Sequence, residues 1–194
     1  AHDIRATGVH YDVAAATVGP STGCCLVVVT PDAQRTMNTY LGASVHLDPG
    51  DIDAAAIRSA KVLYLEGYLF DPPEAQEAFR LAAGHANDSG RAVALTLSDG
   101  FCVDRHRDAF LAMVEHHVDI LFANEDEILS LYQTDSFDEA AQRVRRHGAI
   151  AALTRSEKGS VIVTEDDLIE VAAHPIDELV DTTGAGDLYS AGFL

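Results

Sequence analysis

The residues that could do chemistry crowd toward the end of the chain, in "DELVDTTGAGDLYSAGFL" at residues 177–194. Gly184 and Gly186 bracket Ala185, and Asp187 follows at once, ahead of an apolar run that can start a helix. A dinucleotide fingerprint would need an acid about 20 residues further on, and a P-loop would need a Gly-Lys-Ser/Thr ending; this loop has neither. What remains is a loop running into a helix start. Small side chains there let backbone N–H groups converge on an anion, aided by the positive end of the helix dipole. A helix that is only capped at this point fits the residues equally well. Asp187 favours the anion. A carboxylate beside an anion hole is electrostatically awkward unless a cation or a proton transfer is involved, and phosphoryl transfer supplies both.

The charge balance sharpens this reading. A net charge of −18 over 194 residues argues against a nucleic-acid surface, which needs clustered Lys and Arg. An acidic protein that binds an anionic substrate must use selected arginines, metal ions or backbone N–H groups. No apolar run reaches the roughly 18 residues of a membrane span, and "AHDIRATGVHYD" lacks the order of a secretion signal. Three cysteines without a CxxC spacing point to a reducing compartment, so a cytoplasmic protein without membrane or nucleic-acid partners is expected.

The elements that must position these residues follow from periodicity. "GCCLVVVTPDAQRTMNTYLGAS" (23–44) predicts a β-hairpin around the turn chemistry of "TPDAQ". From residue 49 onward, helical stretches at 48–60, 72–88, 106–118, 125–133 and 136–148 alternate with strands at 61–69, 91–99, 119–124 and 149–155. Two more strands follow within 160–174. Strands separated in this way predict an α/β fold of parallel βαβ units, with ligands collecting at the carboxyl ends of the strands. Glu66 and Gly67, Ser98 and Asp99, Asn124 to Glu127 and Thr154 to Gly159 fall at those ends. "DRHRD" (104–108) and "RVRR" (143–146) read as solvated helix faces.

Further residues support a phosphate site, each beside a plainer alternative. Asn124 and Glu127 in "FANEDEIL" have the spacing of a helix cap with its reciprocal acid. Thr154, Arg155 and Gly159 in "LTRSEKGSVIV" fit an ordinary hairpin turn. Arg35 is a scarce cation on the hairpin, suited either to water or to a transferring phosphoryl group.

"DTTGAGD" resembles the C-terminal signature of the PfkB carbohydrate kinases, a ribokinase-like family that includes adenosine kinases, ribokinases and fructokinases. The resemblance implies a three-layer αβα fold with a mostly parallel sheet and a small β flap, or lid. Residues 8–45 would be the flap and 46–194 the α/β body of one kinase domain, incomplete at both ends. It also implies transfer of the γ-phosphate of ATP to a hydroxymethyl group of a nucleoside or sugar. Adenosine comes first, because the hairpin resembles the flap of the adenosine-kinase branch. A ribokinase or fructokinase type of sugar kinase is the alternative, and a non-catalytic nucleotide- or phosphate-binding protein on the same scaffold is another.

The family's roles carry over by position. Asp187 becomes the catalytic base, and Gly184, Ala185 and Gly186 the anion hole. Arg35 becomes the phosphate clamp, and Cys25 a lid residue facing the acceptor. Asn124 and Glu127 organise Mg²⁺, often through water, and Asp181 and Thr183 match positions that hold a monovalent cation such as K⁺ in some members. Thr154, Arg155 and Gly159 match the family's T-x-G-x-x-G turn beside the nucleotide. Ser156 replaces its first glycine, which would cost roughly 1–2 kcal/mol if that position needs a positive φ. A homodimer through the flap and low stability of residues 1–194 on their own are further expectations.

Overall fold

The computed structural model describes residues 2–31, 35–177 and 179–194. A short helix α1 (His2–Ala6) precedes strands β1 (Thr22–Val29) and β2 (Arg35–Gly42). These pair antiparallel, with Cys25 opposite Thr39 and Val29 opposite Arg35, as a separate two-stranded sheet. The hairpin therefore forms where the alternation placed it; Asp32, Ala33 and Gln34 of its expected turn lie outside the described residues.

The second sheet has six strands in sequential order: β3 (Val62–Glu66), β4 (Ala92–Thr96), β5 (Ile120–Asn124), β6 (Ile150–Thr154), β7 (Ser160–Val163) and β8 (Leu168–Val171). The first four run parallel; β7 and β8 turn back antiparallel. Crossovers of one hand along an order that never reverses must all pass over the same face. They carry α3 (Pro73–Asn87), α4 (Gly100–His116), and then α5 (Glu125–Tyr132) and α6 (Phe137–Arg145).

That face holds the main core. Val93, Leu95, Leu121, Leu153 and Val163 meet Phe79, Phe110, Ile128 and Val144 from the helices. Alternate strand residues Ala94, Phe122 and Ala152 face the other way and pack against Tyr189 of α7 (Ala185–Phe193). Phe193 meets Phe122 edge-on, 5.4 Å between ring centroids. The result is a sheet between two helical layers, the second represented by α7. Among the described residues no helix is long and apolar enough to cross a membrane.

Local chemistry moves several boundaries. The helix expected over 48–60 is split: Asp48 caps a 3₁₀ turn at Pro49–Asp51, and Asp53 caps α2 (Ala54–Ser59) through the N–H groups of Ala55 and Ala56. Helix α4 starts six residues before the expected position because Asp99 caps it at the Cys102 N–H, and it is interrupted at His106 (φ −125°, ψ 27°). The basic runs are also less solvated than expected. Arg105 and His106 both bond Asp71, and Arg107 reaches Asp104 and the Ser130 carbonyl. Arg143 reaches the Tyr132 carbonyl and Arg145 the Glu165 carbonyl, so these side chains tie neighbouring elements together.

Candidate active site

The parallel ladder sets Glu66 beside Thr96 and Asn124 beside Thr154, so four strand ends open on one side of the sheet. Above them lies a cleft of about 390 Å³, bounded by the start of α7 and by Arg35 from the hairpin. That volume lies within the usual range for small-ligand sites. Arg35, Glu66, Asn124, Glu127, Thr154 and Asp187 all line it.

The glycine loop forms the wall opposite the strands. Gly184 enters α7 with φ 74°, a left-handed conformation that suits glycine, and no side chain caps the helix. Gly184, Ala185 and Gly186 all border the cleft. The Ala185 N–H already donates to the Thr182 carbonyl (3.2 Å), so an anion would draw on the rest of the first turn. Asp187, the third residue of α7, is exposed at the cleft.

Arg35 bridges two parts of the chain that are far apart in sequence. Its Nη1 donates to Thr182 Oγ1 at 2.7 Å and to Thr183 Oγ1 at 3.4 Å, and lies 3.8 Å from Asp181 Oδ1. Asp181 Oδ1 also accepts from the Thr183 N–H (2.9 Å) and hydroxyl (2.7 Å). The Thr183 hydrogen bonds, with the Arg35 charge adding to them, hold the Asp181 carboxyl below the usual range. Asp181 Oδ1 and Thr183 thus engage each other and Arg35, an arrangement that stabilises the loop ahead of α7.

Asn124 and Glu127 form the reciprocal cap of α5. Asn124 Oδ1 accepts from the Glu127 N–H (2.8 Å). Glu127 Oε2 accepts from the Asn124 N–H (2.9 Å), and Oε1 from Asn124 Nδ2 (2.8 Å). Glu127 is 6% exposed. Burial pushes its carboxyl up to about 7, against the Asn124 N–H bond that lowers it, and the negative charges of Asp99, Glu66 and Asp126 add to the rise. With both oxygens engaged, this pair suits Mg²⁺ held through the ion's water shell. Mg²⁺ usually keeps several waters, so that fit is chemically ordinary. Among the described residues no group of three or more His, Cys, Asp or Glu side chains could hold a metal directly.

Residues 1–194 match the pfkB family carbohydrate kinases over their whole length. The chain belongs to this family. It is 27% identical over 187 residues to the adenosine kinase of Saccharomyces cerevisiae, covering 89% of this chain and 54% of that protein. The crystal structure of adenosine kinase from Sinorhizobium meliloti superposes with a TM-score of 0.94 at 49% identity, covering 99% of this chain and 59% of that one. A "probable sugar kinase protein" from Rhizobium etli CFN 42 matches equally well, with a TM-score of 0.94, 51% identity, and 99% and 58% coverage. The chain therefore spans between half and two thirds of the length of these relatives.

Not every expected pfkB position reaches the cleft. Thr154 does. Arg155 is engaged elsewhere: it pairs with Glu125 (2.7 Å) and lies 4.0 Å over the Phe137 ring, which anchors the turn to α5 and α6. Gly159 lies beneath the turn, where any Cβ would collide with the Val171 carbonyl oxygen. Cys25 is exposed on the hairpin and bonds Thr39 Oγ1 (3.1 Å), away from the cleft lining. Ser156, where the family has glycine, does adopt a left-handed φ of 51° and borders the cleft, so this chain carries the strain that its side chain implies.

Two residues without an assigned role belong to the site. Glu66, half-buried, lines the cleft and accepts a hydrogen bond from the Ser98 hydroxyl. Burial raises the Glu66 carboxyl, the Ser98 bond opposes that, and Asp187 adds to it by repulsion. The available signal was an acid ending the apolar run "KVLYLE", a poor place for a carboxylate unless it faces a site.

Proposed function

We propose that the protein is a Mg²⁺-dependent kinase that moves the γ-phosphoryl group of ATP to a hydroxymethyl group of a nucleoside or sugar. The observation that carries this reading is Asp187 in the first turn of an uncapped helix, at the same cleft as Arg35 and the Asn124–Glu127 pair. In the transfer, the acceptor O–H bond breaks and its proton passes to the Asp187 carboxylate. A bond forms between the acceptor oxygen and the γ-phosphorus, and the bond from that phosphorus to the β,γ-bridging oxygen breaks, releasing ADP. The first-turn N–H groups of α7 and the Arg35 guanidinium face the charge that spreads over the γ-phosphoryl oxygens. Asp187 needs to be well placed more than strongly basic, because a loose transition state rewards positioning. Mg²⁺, when bound, neutralises charge between the phosphates, and Asn124 with Glu127 would hold its water shell.

Adenosine is the first acceptor proposed, since the yeast and S. meliloti relatives are adenosine kinases. A sugar is the second, favoured by the R. etli neighbour. The test is ADP release from Mg-ATP by the chain at its natural length, with adenosine, other nucleosides, ribose and fructose, each beside Asp187→Asn. Acceptor-dependent release that vanishes in the variant supports the kinase and names its substrate. ATP binding without release for any acceptor leaves a phosphate-binding scaffold and sinks the proposal.

A further inference from the structure

The residue that holds Glu66 is itself held in an unfavourable conformation. Ser98 has φ 66°, one of three positive-φ residues other than glycine among the described residues. The Asp99 N–H donates to the Leu97 carbonyl (2.8 Å), which makes Ser98 the centre of a three-residue γ-turn in its rarer, strained, positive-φ form. The segment on the other side is just as constrained. A Cβ on Gly67 would stand 2.5 Å from the Leu97 oxygen and 2.6 Å from the Thr96 oxygen, so only glycine lets the two strand ends approach this closely. That approach, with the turn, aims the Ser98 hydroxyl at Glu66 Oε1, with the Thr96 carbonyl 3.2 Å away as a second partner. Strain kept at a strand end beside a cleft is an observation from which function can be inferred.

We propose that Ser98 is a positioning residue: its strained turn exists to pin Glu66 in the cleft beside Asp187. The proposal rests on the kinase reading for its consequence. Glu66 faces mostly negative or neutral groups: Asp187 on α7, Glu127 on α5, and Tyr64 and Tyr68 on its own segment, with Asp99 ahead of α4 acting in turn on Tyr68 and Glu127. Arg35 acts on this group through Tyr68, and Arg105 through Asp99. Two carboxylates that repel each other across a cleft favour the arrival of a proton at either one. An ionised Glu66 therefore promotes proton transfer from the acceptor hydroxyl to Asp187. A protonated Glu66 loses that advantage, and the Ser98 hydroxyl, together with the Tyr68 N–H, opposes protonation against the effect of burial.

The test compares the pH dependence of kcat in the natural-length protein, Ser98→Gly, Glu66→Gln and the double variant. Ser98→Gly removes the hydroxyl but suits the left-handed backbone, so it should melt no earlier than the parent. Its acidic limb should move to higher pH, with kcat at the foot of that limb about tenfold lower, the ratio expected for losing a hydrogen bond to a charged group. In the Glu66→Gln background the same change should do nothing. An unmoved limb, or an equal shift with and without Glu66, overturns the proposal. If no acceptor is phosphorylated, the kinase reading fails by itself, and carboxylate ¹³C NMR then tests the link directly. The Glu66 midpoint should rise in Ser98→Gly and fall in Asp187→Asn; a midpoint unchanged in Ser98→Gly overturns the assignment of Ser98.

Discussion

The hairpin and the α/β body solve the burial problem in opposite ways. In β4, β5 and β6 the central residues are buried, and Phe110, Leu121 and Leu153 are fully enclosed. In β1 every residue is exposed, and in β2 every residue but Gly42. Leu26, Val28 and Met37 are 72%, 59% and 54% exposed although their residue types belong in a core. The body is held by apolar burial, whereas the hairpin's tie to the cleft is polar, through Arg35. Stability and activity should therefore respond to different residues.

Four substitutions test this contrast, from the largest expected effect to the smallest. Asp187→Asn should lower kcat by about 10²–10⁴ with little change in ATP affinity; equal losses in both would show a collapsed loop. Phe110→Ala, which removes a ring stacked 4.3 Å from Phe70, should cost about 3–5 kcal/mol in denaturant unfolding. Arg35→Ala should lower kcat/KM roughly 10- to 100-fold, the worth of hydrogen bonds from a charged group, yet leave the melting temperature nearly unchanged. A large drop in stability would mean that the hairpin helps to hold the body. Val28→Ser should alter stability by no more than about 0.5 kcal/mol, as for other exposed sites.

A pH series separates the two regions again. Glu127 is raised in the folded body from 4.5 to about 7, so between those values the native state binds more protons than the unfolded chain. Its contribution to stability is complete below the lower value and is lost as pH rises through the upper one. Melting temperature should fall over that window in the parent protein, and Glu127→Gln should flatten the fall. A parent that grows more stable from pH 5 to 7, with no difference in the variant, would contradict the buried placement.

Much of this contrast was legible in the residues. Period-two alternation gave away the hairpin, and apolar runs between helical stretches gave away the parallel ladder, because both patterns are local. The Asn124–Glu127 cap was legible for the same reason. What escaped depends on contacts distant in sequence. Arg155 reads as a nucleotide ligand until Glu125 and Phe137 are brought beside it. The basic run at 104–108 reads as solvated until Asp71, some thirty residues earlier, folds against it. Ser98 gives no sign of its left-handed backbone, since serine is seldom found there and only the crowding at Gly67 shows the need.

The Arg35–Thr182 hydrogen bond joins positions 147 residues apart. A ribosome delivers the hairpin before the glycine loop, so this contact closes only after the intervening strands and helices have been made. Extra loop length adds little to the equilibrium cost of closure, because that cost grows only with its logarithm. The burden is one of timing. Throughout that interval a β-ribbon with valines and leucines on its surface is present without its polar anchor, the kind of edge that recruits other chains. The cleft thus gains its Arg35 wall only once the glycine loop has emerged, and until then the hairpin's exposed valines and leucines are open to misassociation.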